Sequence, residues 1–162
     1  MTRMKALGLM LAGLSLSLTA ASASPRHEDV LSEMFAWWNQ AFKSPGAFTE
    51  NAFRRYFTED AAIVLNGKES SKGIPALTAQ FKRIQSEGGS VEIVLPFREG
   101  FQSGDKIFTY HFIRIERNGV HQCLRVMGYA LMRHGRIALV NLLRIPEDLS
   151  VTPIERECQP RD

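Results

Sequence analysis

A chain of 162 residues with 44% hydrophobic and 23% charged side chains has the size and composition of a single globular domain, which argues against a disordered or repetitive protein. Its 20 Lys and Arg stand against 17 Asp and Glu, but the basic residues are dispersed. They form no stripe of the kind a phosphate backbone requires, so nucleic acid is not an expected partner.

The chain opens with Arg3 and Lys5, an apolar run over 6–18, and the small-residue pattern Ala21-Ser22-Ala23. This three-part order predicts an export signal over 1–23 and a periplasmic or secreted product, with no membrane association once the signal is removed. The run is shorter than the roughly 20 apolar residues a spanning helix needs. Without Arg3 and Lys5 the charge balance falls to 18 against 17, so most of the net charge of +3 belongs to the signal. The folded domain is expected over 24–146, followed by a tail over 147–162 that reads as a loosely packed strap.

Residues 27–42 predict a helix, because Leu31, Met34, Phe35, Trp38, Ala41 and Phe42 recur at three- and four-residue spacing on one face. Glu28 and Asp29 lie in its first turn, where the helix dipole favours negative charge, and Ser44-Pro45-Gly46 stops it. A short helix follows to about Phe57, with Thr49 as N-cap and Phe48 and Phe53 placed for a hydrophobic staple. Residues 61–65 read as a strand turned back by Asn66-Gly67, a strong hairpin signal. A third helix starts near Pro75, carries Leu77, Phe81 and Ile84 on one face, and ends at Gly88-Gly89.

Four strands are expected after it, over 91–101, 106–117, 121–133 and 136–145, joined by short Gly-containing links that force antiparallel pairing. The fold class is therefore α+β, with three N-terminal helices packed on one face of a curved, mostly antiparallel sheet. Residues 126–132 and 137–143 are apolar at both parities, whereas a sheet with one wet face should alternate. The second face needs a cover, either a second subunit, giving a homodimer through the sheet, or the chain's own tail.

The segment Tyr56-Phe57-Thr58-Glu59-Asp60-Ala61-Ala62-Ile63-Val64, the helix start Gly73-Ile74-Pro75 and the turn His134-Gly135-Arg136-Ile137, in this order of elements, resemble the nuclear transport factor 2-like superfamily in its SnoaL-like branch. The resemblance spans about 28–145 and implies a cystatin-like cone whose mouth takes a small apolar ligand. That superfamily contains steroid isomerases, polyketide cyclases, dehydratases, epoxide hydrolases and plain binding proteins, so the fold does not name a function. The acid and base of a steroid isomerase of this fold are not matched. Leu65 and Asn66 stand where its aspartate base belongs, Gly128 or Tyr129 where its protonated acid belongs, and Trp37 or Trp38 where it uses a tyrosine. No carboxylate lies between Arg117 and Ile145, where SnoaL-type cyclases commonly carry one.

The resulting expectation is an exported protein that binds a small apolar or aromatic molecule, with Trp38, Tyr56, Tyr110 and Asn141 as candidate ligand-binding residues. The alternative is an enzyme of the same fold, with lyase, isomerase or cyclase chemistry. There His111 would be the general base, and Asn141 or Tyr110 would polarise the substrate. A third reading is a protein-interaction module. Arg114 and Arg125 either orient an anionic ligand or face water and ion-pair partners, and Asp60 reads as structural. Cys123 and Cys158 are an even pair in an oxidising compartment and are expected to form a disulfide, the alternative being two free thiols. The four histidines show no metal-ligand spacing, and no cofactor is expected.

Overall fold

Helical periodicity ends before residue 90, and in the computed structural model, which describes residues 27–159, five of the seven strands follow that point while two lie between the second and third helices. The helices are α1 (His27–Phe42), α2 (Glu50–Arg54) and α3 (Ile74–Ser86). The strands are β1 (Phe57–Leu65), β2 (Lys68–Lys72), β3 (Ser90–Ile93), β4 (Glu99–Ser103), β5 (Lys106–Arg117), β6 (Val120–Arg133) and β7 (Arg136–Pro146). The export signal expected over 1–23 lies outside the described residues.

The helices lean on one another through aromatic rings. Thr49 Oγ1 accepts from Ala52 N at 3.2 Å, and the Phe48 and Phe53 rings flanking that cap stack with centroids 5.8 Å apart. Phe81 of α3 stacks on Phe53 at 5.5 Å and meets Trp38 of α1 at 5.8 Å. The last carbonyls of α1 are satisfied from outside the helix: Gln85 Nε2 donates to Ala41 O at 2.9 Å and to Phe42 O at 2.8 Å. Asn39 then ties α1 to the sheet, donating to Ile93 O at 2.8 Å and accepting from Ile93 N at 2.9 Å.

The strands form one seven-stranded sheet in the order β2-β1-β7-β6-β5-β3, with β4 also paired to β5. Pairing is antiparallel except between β1 and β7, which run parallel. Two expected boundaries move. The second helix stops at Arg54 and β1 begins at Phe57, because the segment is recruited to the sheet: Ile137 N donates to Tyr56 O at 2.8 Å. The strand expected over 91–101 divides into β3 and β4, which pair with different stretches of β5. Pro96 sits in the gap and has no N–H to continue a ladder. The break brings the Phe97 ring to 5.8 Å from Phe35 and 5.3 Å from His111.

The core lies between the helices and the concave face of the sheet, and includes Leu31, Phe53, Phe57, Ile74, Leu77, Ile107 and Val126, all buried. Gly128 allows the sheet to close over it. A Cβ there would fall 2.0 Å from Asn141 O and 2.9 Å from Leu142 Cα, so only glycine lets β6 and β7 approach this closely.

The tail is not a loose strap. Glu147 N donates to Cys123 O at 2.8 Å, and Cys158 is bonded to Cys123 with an S–S distance of 1.98 Å. Leu149, Ile154 and Cys158 pack with Val94, Phe112 and Cys123 on the convex face of the sheet. Arg98 pairs with Glu155 at 2.8 Å and with Glu157 at 2.5 Å, while Arg125 pairs with Glu147 at 2.5 Å. The tail covers only part of that face, and Met127, Leu143 and Ile145 remain 41%, 56% and 51% exposed.

Candidate functional site: an apolar cavity with an unpartnered histidine

Strand alternation decides what the cone contains. On β5, His111, Ile113 and Ile115 line the cavity, so Tyr110, Phe112 and Arg114 must point to the convex face. The cross-strand partners continue each face, with His111 opposite Val126 and Ile113 opposite Leu124. The cavity has a volume of about 640 Å³, within the range of small-molecule sites. Met34, Phe35 and Trp38 of α1 and Phe81 and Ile84 of α3 form its helical wall. Its polar groups include Ser70, Gln80, Arg83, Arg117, Gln122 and Arg144, and no carboxylate lines it among the described residues.

His111 is 1% exposed, and neither ring nitrogen has a hydrogen-bond partner among the described residues. Its nearest rings are Phe97 at 5.3 Å and Phe35 at 5.5 Å. Burial among these groups pushes its pKa down to about 4, so the imidazole is neutral at neutral pH and offers one donor and one acceptor. Trp38 Nε1 on the same wall is also buried without a partner. Apart from its arginines, the cavity therefore presents apolar surface with a few unsatisfied neutral polar atoms.

Arg144 sits on the concave face of β7, opposite Val126. Asn66 clamps its backbone, accepting from Arg144 N at 2.7 Å and donating to Arg144 O at 3.3 Å. The side chain is half-buried, its Nε has no partner, and burial lowers its pKa from the ordinary arginine value. Arg117 and Arg83 share the carboxylate of Glu87, at 2.7 Å and 3.2 Å.

Of the candidate catalytic and ligand-binding residues expected from sequence, the structure brings only His111 and Trp38 to the cavity. Tyr56 lies outside it, 5.4 Å from the Trp37 ring and under the Arg55 guanidinium. Tyr110 is on the convex face beneath the tail, where Arg98 Nη1 donates to its hydroxyl at 3.4 Å. Asn141 is also convex, because it stands opposite Tyr129 in the β6–β7 ladder. The proposed grouping of His111 with Asn141 or Tyr110 is thus corrected: the sheet itself separates them. Arg114 pairs with Glu92 at 3.1 Å and Arg125 with Glu147, so both serve the convex face. Asp60 accepts from Thr58 Oγ1 at 2.9 Å and pairs with Arg133, contacts that hold its carboxyl below the usual range. Sequence reasoning missed Phe97 and Arg144. The signal for Arg144 was its parity with Val140 and Leu142 on the last strand.

Helices packed on a bent sheet in this way have solved counterparts. An NTF2-like protein of unknown function from Exiguobacterium sp. 255-15 matches with TM-score 0.58 and 19% identity, over 74% of this chain and 98% of its own. The fold is NTF2-like. A candidate SnoaL-like polyketide cyclase from Jannaschia sp. CCS1 matches with TM-score 0.59 and 12% identity, over 81% and 92% of the two chains. An LEH-like epoxide hydrolase from M. tuberculosis also has TM-score 0.59, with 14% identity, over 74% and 82%. At these identities the NTF2-like likeness establishes the architecture alone. No family model and no curated protein matches the sequence.

Proposed function

We propose that this chain is an exported binding protein that holds a small apolar or aromatic molecule inside its cone. The observation that carries the reading is the cavity of about 640 Å³, walled mainly by aliphatic and aromatic side chains and, among the described residues, without a lining carboxylate. General acid–base chemistry needs groups that exchange protons near the working pH, and the histidine in this cavity has a pKa of about 4. Native mass spectrometry of the mature protein tests the reading. A co-purifying small molecule that is lost when Ile113→Trp fills the cavity is the expected result; a ligand retained by that variant rejects the site.

An enzyme with His111 as base is the second reading, favoured by its two unpartnered nitrogens. It brings to this chain the cyclase and epoxide-hydrolase activities named for the similar structures. Turnover of an epoxide or polyketide substrate that His111→Gln abolishes, with binding retained, would establish it. An interaction module is less well supported, because it requires a filled cone.

The same proposal includes a homodimer in which a second copy covers Met127, Leu143 and Ile145. These side chains lie on the convex face beyond the reach of the tail, and exposed apolar groups that adjoin one another call for a cover. Light scattering of the mature protein should give twice the monomer mass, and a monodisperse monomer rejects this arrangement.

A further inference from the structure

Five arginines among the described residues are half-buried: Arg54, Arg114, Arg117, Arg125 and Arg144. The first four each pair with a carboxylate, on Glu50 and Glu59, Glu92, Glu87, and Glu147 respectively. Arg144 has none among the described residues, and it is the one whose side chain enters the cavity without a counter-charge from them. A cation taken partly out of water without a partner is costly, and arginine does not escape that cost by losing its proton. Its geometry is nevertheless held by Asn66, which grips both the N–H and the carbonyl of this one residue.

His111, Val126 and Arg144 form one cross-strand row on the concave face. With neighbouring strands spaced by about 4.8 Å, the backbones at the ends of this row are about 10 Å apart, and concavity brings the side chains closer. The rows beside it, Ile113 with Leu124 and Thr109 with Gly128 and Leu142, are apolar apart from the buried Thr109 hydroxyl. One end of the row thus offers a guanidinium, the other a buried imidazole with both nitrogens free, and the surface beside them is mostly hydrocarbon.

We infer that the ligand is an organic anion, a carboxylic acid with an aromatic or aliphatic body, whose carboxylate pairs with Arg144 while its body fills the apolar cavity. The inference rests on the binding reading above and specifies the ligand class for that site. A guanidinium accepts a carboxylate through two parallel N–H···O bonds, and the Glu87-bridged pair Arg83 and Arg117 adds positive potential to the same cavity without competing for the anion. A neutral imidazole can take a hydroxyl, carbonyl or amide substituent on the ligand body.

Matched probes separate the two readings. Isothermal titration of the mature protein with 2-naphthoate and with 2-naphthamide compares the same ring with and without charge. Naphthoate should bind at least about tenfold more tightly. Adding potassium chloride should weaken naphthoate and leave the amide unchanged. Arg144→Met should bring the two affinities within about twofold by lowering that of naphthoate alone, whereas Arg114→Met, on the convex face, should preserve the preference. Equal binding of both probes to the native protein overturns the anion assignment and leaves the binding reading standing. Binding of neither probe overturns both. A preference that survives in a folded Arg144→Met or Arg144→Gln protein also overturns the assignment, and the salt titration of the native protein decides the question if both variants fail to fold.

Discussion

Asn141 donates from Nδ2 to the Tyr129 hydroxyl at 3.3 Å, directly across the β6–β7 ladder and on the face of the sheet turned away from the cavity. A buried amide in an apolar strand is often a ligand contact, but here its partner is another side chain of the same sheet. Asn141→Leu should therefore leave ligand affinity unchanged. Its stability should shift by no more than about 1 kcal/mol, because the remaining Tyr129 hydroxyl is only partly buried and can turn to water. Denaturant unfolding and titration of one preparation check both statements, and a loss of affinity would return Asn141 to the site.

His111 makes stability depend on pH in a window of its own. The ordinary histidine pKa is 6.5 and burial lowers that of His111 to about 4, so between these values the unfolded chain binds a proton that the folded chain does not. Stability from this group is complete above pH 6.5 and is lost progressively as pH falls to about 4, with a total of about 3 kcal/mol. The rings of Phe35 and Phe97 that face it do not titrate. The carboxyls of Asp60, Asp148, Glu155 and Glu157 are held below their ordinary values, so their contributions are lost only at lower pH. His111→Phe should flatten the stability profile between pH 6.5 and 4.5. Parallel profiles for the two proteins would show that His111 is not desolvated.

Cys123 and Cys158 close a loop across 35 positions of sequence. In the chain-entropy model such a loop contributes about 3–4 kcal/mol by restricting the unfolded state. Replacing both residues by serine should lower the melting temperature by that equivalent and expose the tail to proteolysis ahead of the sheet. Arg98→Ala should open the tail to a smaller extent, since it removes the contacts to Glu155 and Glu157 and the guanidinium 4.7 Å above the Phe112 ring. A tail that resists protease in the serine variant would contradict this account.

Gly128→Ala places a methyl group 2.0 Å from Asn141 O, a contact that only a shift of backbone can relieve. The cost should be about 1–3 kcal/mol, as for other overpacked positions, and the displacement should reach the cavity through Leu142. Thermal unfolding measures the first effect and ligand titration the second. A variant as stable as the native protein would mean that the two strands are not so closely apposed.

Local chemistry made much of this legible. The stripe of α1, the Thr49 cap with its flanking phenylalanines and the Asn66-Gly67 turn, where both residues have positive φ, are written in neighbouring residues, because helix and turn energetics act over a few positions. Alternation likewise required Tyr110 and His111 to lie on opposite faces. Which face would be enclosed was not a local matter. It depended on which strands pair, including the parallel contact of β1 with β7 and the register shift between Leu131 and Met132. Those pairings sent Asn141 outward and Arg144 inward. Pro96 announced a break, but only packing brought Phe97 onto His111. The tail carried no periodicity, so its place emerged from Arg98, Arg125 and Cys123, each distant in sequence. Neighbouring residues were enough to place most of the elements in order, since these follow from short-range backbone and side-chain preferences. The tertiary structure decided what faces the cavity and which charge there stands without a partner, since both depend on contacts between residues far apart along the chain.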